Sequence, residues 1–199
     1  MPGARHACEM LSEQTRGDEP EPNRARVIHR GHIITVAEDD VTFPDGSRGK
    51  LDVVRHPGAS GVLPFVGDPK APDPTVLLIR QFRHAANAWL LEIPAGRLHE
   101  GERPEECARR ELREETGCTA GEMTYLTSIL TTPGFSDEVI HLFMAAQLNY
   151  GTTRFDADEF IEPAELPLSG VRELIRTGEI RDAKSIVAVL LALTFVSRP

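Results

Sequence analysis

Residues 96–118 read Gly96-Arg97-Leu98-His99-Glu100-Gly101-Glu102-Arg103-Pro104-Glu105-Glu106-Cys107-Ala108-Arg109-Arg110-Glu111-Leu112-Arg113-Glu114-Glu115-Thr116-Gly117-Cys118. Helix formers fill 105–115. Pro104 suits a first-turn position, where a missing N–H costs nothing, and Gly117 supplies a stop just past the last turn. On such a helix Glu111 and Glu115 stand four apart on one face with Glu114 beside them, while Ala108 and Leu112 turn toward a core. Arg109, Arg110 and Arg113 could pair with these glutamates on a solvated face. Clustered carboxylates otherwise repel unless protonated, paired or neutralised, and a hard divalent cation such as magnesium favours oxygen ligands at that density.

Written as a pattern, the segment is G-x5-E-x7-R-E-U-x-E-E-x-G-U, with U an aliphatic residue, and it resembles the Nudix box of hydrolases that cleave nucleoside diphosphates linked to another group. Gly96, Glu102, Arg110, Glu111, Leu112, Glu114, Glu115 and Gly117 fit. The departure is Cys118 at the last aliphatic position, a small and largely apolar side chain expected to alter packing and not chemistry.

The 199 residues suffice for one ordinary domain with a good core and a small addition. A net charge of −9 argues against nucleic acid or an anionic membrane as the main partner, since both select basic surfaces. A negatively charged substrate can still bind where metal ions and a few arginines invert the local field. Cys8, Cys107 and Cys118 have no metal-ligand spacing and are odd in number, which fits reduced thiols in the cytoplasm. Cys107 is expected on the apolar side of the helix. No charged segment followed by an apolar one opens the chain, so secretion is not indicated. The longest apolar run, Ile186 to Val196, is too short to span a bilayer and reads as a buried helix. The seven histidines have no ligand spacing and read as surface or core residues.

Residues 1–23 lack an apolar period and read as a disordered tail. From Arg24 the pattern changes. Val27-Ile28, Ile33 to Val36 and Val41 to Phe43, a turn at Pro44-Asp45-Gly46-Ser47, and a returning strand at Lys50 to Arg55 predict a small antiparallel sheet over 24–57. The rest, 58–199, reads as the main domain. Its predicted strands are 61–66, 75–82, 89–93, 123–130 and 139–148, with a turn at Pro94-Ala95-Gly96. An acidic loop follows at 156–162, and then helices at about 168–177 and 183–196. Strands alternating with few helices and no regular repeat predict an α/β (α+β) fold with a mixed sheet. The family resemblance implies the same: a Nudix-type α/β/α sandwich, here with a small N-terminal antiparallel β-sheet.

Features outside the box resemble the ADP-ribose pyrophosphatases of that superfamily. Pro133 falls fifteen residues after Cys118, within Thr132-Pro133-Gly134-Phe135-Ser136-Asp137-Glu138. Arg80-Gln81-Phe82-Arg83, Leu91-Glu92-Ile93-Pro94-Ala95-Gly96 and Val54-Arg55-His56-Pro57-Gly58-Ala59 are similar as well. The resemblance implies Mg2+ (or Mn2+) as cofactor, with Glu111 and Glu115 as main ligands, Glu114 as a further ligand or bridge, and the Ala95 carbonyl as another oxygen. It implies that Arg110 orients the carboxylates, that Glu102 ties loop to helix, and that the N-terminal sheet joins a homodimer. The general base would come from Asp158-Glu159-Phe160-Ile161-Glu162, with Glu159 at the matching place and Asp156, Asp158 or Glu162 as substitutes. Arg83, at a strand end near the box, is a candidate for gripping a phosphate. Arg55 is a candidate for a contact with the partner subunit and Glu138 for one with substrate or a metal water. Arg97 and Phe135 are candidates to line the pocket of the terminal ribose.

The expected activity is Mg-dependent hydrolysis of the pyrophosphate of ADP-ribose to AMP and ribose 5-phosphate. A Nudix hydrolase of nucleotide sugars or other nucleoside diphosphate derivatives is a second reading. A non-catalytic ADP-ribose-sensing module is a third, disfavoured by intact Glu111, Glu114 and Glu115 and unsupported by any basic DNA-binding segment.

Overall fold

The computed structural model of the protein describes residues 25–151 and 161–196. The expected tail, and Asp156, Asp158 and Glu159 of the acidic loop, lie outside the described residues. Strands β1 (Ala25–Arg30), β2 (Thr35–Thr42) and β3 (Arg48–Arg55) form an antiparallel sheet in that order. Its tight turn closes where Gly46 takes a φ of +82°, a left-handed conformation that costs glycine little. Asp45 Oδ1 there accepts from the Ser47 amide at 2.9 Å and the Ser47 hydroxyl at 2.6 Å.

The main sheet contains β4 (Ala59–Val66), β5 (Thr75–Arg83), β6 (Ala88–Glu92), β7 (Ala95–Arg97), β8 (Cys118–Leu130), β9 (Val139–Tyr150) and β10 (Ile161–Pro167). Their order is β10-β5-β4-β9-β8, with β6 paired to β5 and β7 to β4. Only β4 and β9 run parallel; the other pairs are antiparallel. The helices are α1 (Pro104–Thr116), α2 (Leu168–Thr177) and α3 (Ala183–Val196). None of the described helices is long and apolar enough to cross a membrane.

Period-two alternation makes the central strands two-sided. On one side Val62, Leu77, Phe143 and Ala145 pack against Ala108 and Leu112 of α1 and against Cys118. On the other, Leu63, Phe65, Val76, Leu78 and Leu142 pack with Leu168 and Val171 of α2 and Ala188, Val189 and Ala192 of α3. A mixed sheet between helical layers is the expected α/β/α arrangement. Burying a side chain such as Leu112 or Phe65 is worth about 1.5–3 kcal/mol, so both interfaces contribute substantially. The apolar Cys118 takes its place in the α1 interface, as a small hydrophobe would.

Several boundaries differ from the sequence reading: one strand runs unbroken over Thr35–Thr42 with Ile33 and Ile34 before it, and β4 begins at Ala59 instead of 61. Ala95 to Arg97 is a short strand paired with Ala59–Gly61, where a turn was expected. β8 begins at Cys118 instead of 123 because Thr119 and Ala120 find partners on β9, which supply what the weak strand preference of Ala120 and the following Gly121 lacks. Residues 161–167 form β10, although 161–162 read as the end of a loop. That strand contains Pro163 and Pro167, tolerated because it lies at the sheet edge where half of its ladder groups face outward.

α1 follows its signals closely. Pro104 opens it, Glu106 accepts from the Arg103 amide at 3.1 Å, and Glu105 and Glu106 lie at its positive end. Gly117 ends it at φ +72°, its amide bonded to the Arg113 carbonyl at 2.9 Å. Because Leu112 is fully buried on this helix, Leu112→Ala should lower the unfolding free energy by about 2–5 kcal/mol. Urea denaturation monitored by circular dichroism measures it, and a loss under about 1 kcal/mol would contradict the packing described.

Candidate active site

One side of α1 carries the chemistry because i and i+4 share a face. Glu111 is 8% exposed and Glu115 1%. Both are buried where β7 passes the helix. The Ala95 amide donates to Glu115 Oε2 at 3.0 Å, so the strand holds this carboxylate in place. Gly96 is next. A Cβ there would lie 1.9 Å from Glu111 Oε1 and 2.1 Å from its carboxyl carbon, so the Glu111 carboxylate occupies space that only a glycine leaves open.

Arg110 organises the acids. Its Nε donates to Glu102 Oε1 at 2.8 Å and Nη2 to Glu102 Oε2 at 3.0 Å. Nη1 donates to Glu111 Oε1 at 2.6 Å and Glu114 Oε2 at 3.1 Å. Nη2 also reaches the Arg97 carbonyl at 3.0 Å, tying helix to loop. The planar fork of arginine suits this bidentate hold. Hydrogen bonding to Arg110 pulls the Glu102 carboxyl from an ordinary 4.5 down to about 2, and the carboxylates hold the Arg110 guanidinium protonated more firmly than usual. Glu102 also accepts the His99 amide at 3.0 Å.

One guanidinium facing three carboxylates leaves the cluster negative. Carboxylate charges cost several kcal/mol each to bury without compensation, and hard carboxylate oxygens are donors that a divalent cation prefers. Among the described residues no three His, Cys, Asp or Glu side chains stand close enough to hold a metal ion by themselves. Cys107 is buried beneath, its thiol pushed up to about 12 by burial and by the Glu111 charge, which disfavours the reactive thiolate.

The other predicted residues fall into two groups. Arg83 stands on the active-site face of β5, bonded to Glu92 through Nε at 3.0 Å and Nη2 at 2.8 Å. Arg97 donates to the His32 carbonyl at 3.3 Å, linking the box to the N-terminal sheet. Arg55, Phe135 and Glu138 meet at the loop between β8 and β9. Arg55 pairs with Asp39 and, at 3.2 Å, with Asp137 of its own chain. The Val54 amide donates to the Phe135 carbonyl at 2.7 Å, and the Phe135 ring is exposed. Glu138 accepts the Thr131 hydroxyl at 2.9 Å and lies 3.4 Å from His56 Nδ1. The loop carrying Pro133 is thus fastened to β3. Glu162 pairs with Arg80 at 3.1 Å, and strand alternation puts that pair on the face opposite Arg83.

Sequence reasoning passed over Glu92, Asp182, Lys184 and Ser185. Glu92 is 1% exposed and bonded by both Arg83 and Lys184. The available signal was a charge embedded in apolar sequence: Glu92 within Leu90-Leu91-Glu92-Ile93, and Lys184 as the one cation of an apolar helix.

Residues 55–187 match the NUDIX domain family. The chain is 39% identical over 164 residues, 81% of its length and 86% of the relative's, to an ADP-ribose pyrophosphatase of Bacillus subtilis. It is 38% identical over 169 residues to a GDP-mannose pyrophosphatase of Escherichia coli, covering 78% of this chain and 83% of that one. A methanol dehydrogenase activator of Bacillus methanolicus is 38% identical over 81% of this chain and 86% of its own. A solved structure of an ADP compounds hydrolase shares the fold with a TM-score of 0.74 at 22% identity, covering 92% of this chain and all of that one.

Two tests follow from the geometry. Gly96→Ala should displace Glu111 and cut turnover by about 10² or more while the melting transition stays cooperative, since a small misplacement of a catalytic group costs that much. Retained turnover would refute the close approach. Glu102, whose carboxyl is depressed to about 2, adds stability that is complete above 4.5 and lost as pH falls toward 2. The difference in unfolding free energy between wild type and Glu102→Gln should therefore shrink over that window; a difference independent of pH would argue against the Arg110 pairing.

Proposed function

The chain belongs to the NUDIX hydrolase family and is a pyrophosphohydrolase, and from that premise we propose that it hydrolyses ADP-ribose to AMP and ribose 5-phosphate with Mg2+ or Mn2+. The observation that carries the reaction is the buried pair Glu111 and Glu115 packed against Ala95 and Gly96. The substrate is supported by the ADP-ribose pyrophosphatase relative and by the Pro133 loop. The GDP-mannose pyrophosphatase relative favours a second reading, a nucleotide-sugar hydrolase with the same machinery.

In this reading Glu111 and Glu115, with Glu114 and the Ala95 carbonyl, hold the cation. When bound, it neutralises phosphate charge and favours ionisation of the attacking water. Arg110 keeps the carboxylates aligned and does not touch substrate. Arg83 grips a phosphate, using the part of its guanidinium that Glu92 leaves open. Glu159 accepts the proton from the attacking water, and water attack at one phosphorus expels the other phosphate in line. Arg97 and Phe135 line the terminal ribose side, and Glu138 contacts substrate or a metal water.

The N-terminal sheet joins two copies in a cytoplasmic homodimer. Val27, Ile28, Ile33, Ile34 and Leu51 are exposed on it, Ile28 at 52% and Ile33 at 58%. A three-stranded sheet with so much apolar surface in water is stabilised by covering it. Arg55 and Arg97 tie that sheet to the active-site loops, so dimerisation and activity are coupled. Removing residues 1–23 should leave both intact, and removing 1–56 should abolish both. Sedimentation together with turnover tests this, and a monomeric active enzyme would sink the proposal.

A panel of ADP-ribose, GDP-mannose, ADP-sugars, NADH and diadenosine polyphosphates with Mg2+ tests the substrate, with ADP-ribose expected to give the highest kcat/KM. Glu115→Gln should lower turnover on the best substrate by about 10² or more, the scale of a catalytic metal. Glu159→Gln should lower kcat by about 10² to 10⁴ with little change in KM, as loss of a general base does. Asp156→Asn, Asp158→Asn and Glu162→Gln serve as comparisons, and a large kcat defect in one of them instead would reassign the base.

A further inference from the structure

A second charged cluster lies behind the phosphate-gripping arginine. Glu92 is 1% exposed, and two cations reach its carboxylate. Arg83 takes Oε1 and Oε2 through Nε and Nη2, at 3.0 and 2.8 Å. Lys184 Nζ donates to Oε2 at 2.5 Å and lies 3.0 Å from Asp182 Oδ1. Asp182 is fixed in turn as the cap of α3, its Oδ2 accepting the Ser185 amide at 3.0 Å and hydroxyl at 2.5 Å. Ser185 Oγ accepts the Ile93 amide at 2.8 Å, just before the turn that brings Ala95 and Gly96 to the box. The start of α3 is thereby bonded to the strand pair β5–β6 and to the backbone leading into the site.

A guanidinium held by Nε and Nη2 keeps one edge. Nη1 of Arg83 has no hydrogen bond among the described residues, and the side chain is 38% exposed. The Glu115 and Asp182 charges both act on it, which sets it within electrostatic reach of one box carboxylate. Two positive and two negative groups balance here, so the cluster does not call for a further ion. As a source of stability it is poor, since an apolar replacement of a buried ion network is often neutral or better. As a way of aiming a long and flexible side chain it is effective: the carboxylate that holds Arg83 is itself held from behind.

We propose that Lys184, anchored by Asp182 at the start of α3, is a positioning residue that acts through Glu92 to fix Arg83, so that its Nη1 edge meets a substrate phosphate. The proposal rests on the reading of Arg83 as the phosphate-gripping group. Lys184 does not touch substrate. Without it, Glu92 keeps one cation where it had two, and the Arg83–Glu92 pair gains freedom to reorient.

The test is a double-mutant cycle on the full chain, read as calorimetric binding of inorganic pyrophosphate in the presence of Mg2+. Lys184→Met should raise Kd about tenfold, within the range of couplings inside one charge network, with cooperative melting preserved. Arg83→Gln should raise it at least as much. In the Arg83→Gln background, Lys184→Met should change Kd by less than about twofold, because its only route to the ligand is gone. Equal independent effects in the double variant, a Lys184→Met Kd within about twofold of wild type, or no pyrophosphate binding by wild type would each overturn the proposal. Should Lys184→Met fail to fold, Glu92→Gln, which keeps the shape and an acceptor for Arg83, carries the same cycle with the same outcomes. ADP-ribose turnover is measured separately. Its absence in a wild type that shows the coupled binding would sink the substrate reading and leave the positioning role standing.

Discussion

Everything in the site depends on keeping ionised carboxylates out of water and close together. Glu111 and Glu115 are nearly inaccessible, and Glu102 and Glu114 crowd the same side of α1. Mutual repulsion and lost hydration both oppose that arrangement. Arg110 offsets part of the cost by binding Glu102, Glu111 and Glu114 at once. The remainder is a negative field, which suits a divalent cation and the phosphates it accompanies. The fold contributes what the side chains cannot: a helix anchored by Leu112 and Ala108 on one side, and a strand, β7, with a glycine where Glu111 needs room.

The same principle of support from behind recurs. Glu92 holds Arg83 as Glu102 holds Arg110, in both cases with two nitrogens of one guanidinium on two oxygens of one carboxylate. Such paired bonds fix a plane as well as a position, which a single contact does not. They also link elements far apart in sequence. The Lys184–Glu92 contact spans 92 residues, and the Arg55–Asp137 contact spans 82. The box, α3 and the N-terminal segment are thereby linked through groups far apart in sequence.

The N-terminal sheet illustrates a conflict between folding and solubility. β1 is exposed along its length, and several of its neighbours' large apolar side chains face outward. Yet β3 is bonded to the Pro133 loop through Val54, Arg55 and His56. The sheet is thus apolar and exposed on one side and bonded to the loop between β8 and β9 on the other.

The sequence by itself determined α1, its caps and the clustering of Glu111, Glu114 and Glu115, because these follow from helical spacing within a few turns. It determined α2 and α3 to the residue for similar reasons, and the strands where β-branched and aromatic residues alternate. Only the tertiary structure decided the rest. β10 forms from a segment with two prolines because β5 offers a partner edge, and β7 is a strand because β4 lies alongside it. The partners of Arg83, Arg55 and Glu92 were likewise not readable, since ion pairs joining different elements, from 9 residues apart for Arg83–Glu92 to 92 for Lys184–Glu92, leave no local pattern. Periodicity records which face of an element is buried; which charge meets which is set when the faces come together.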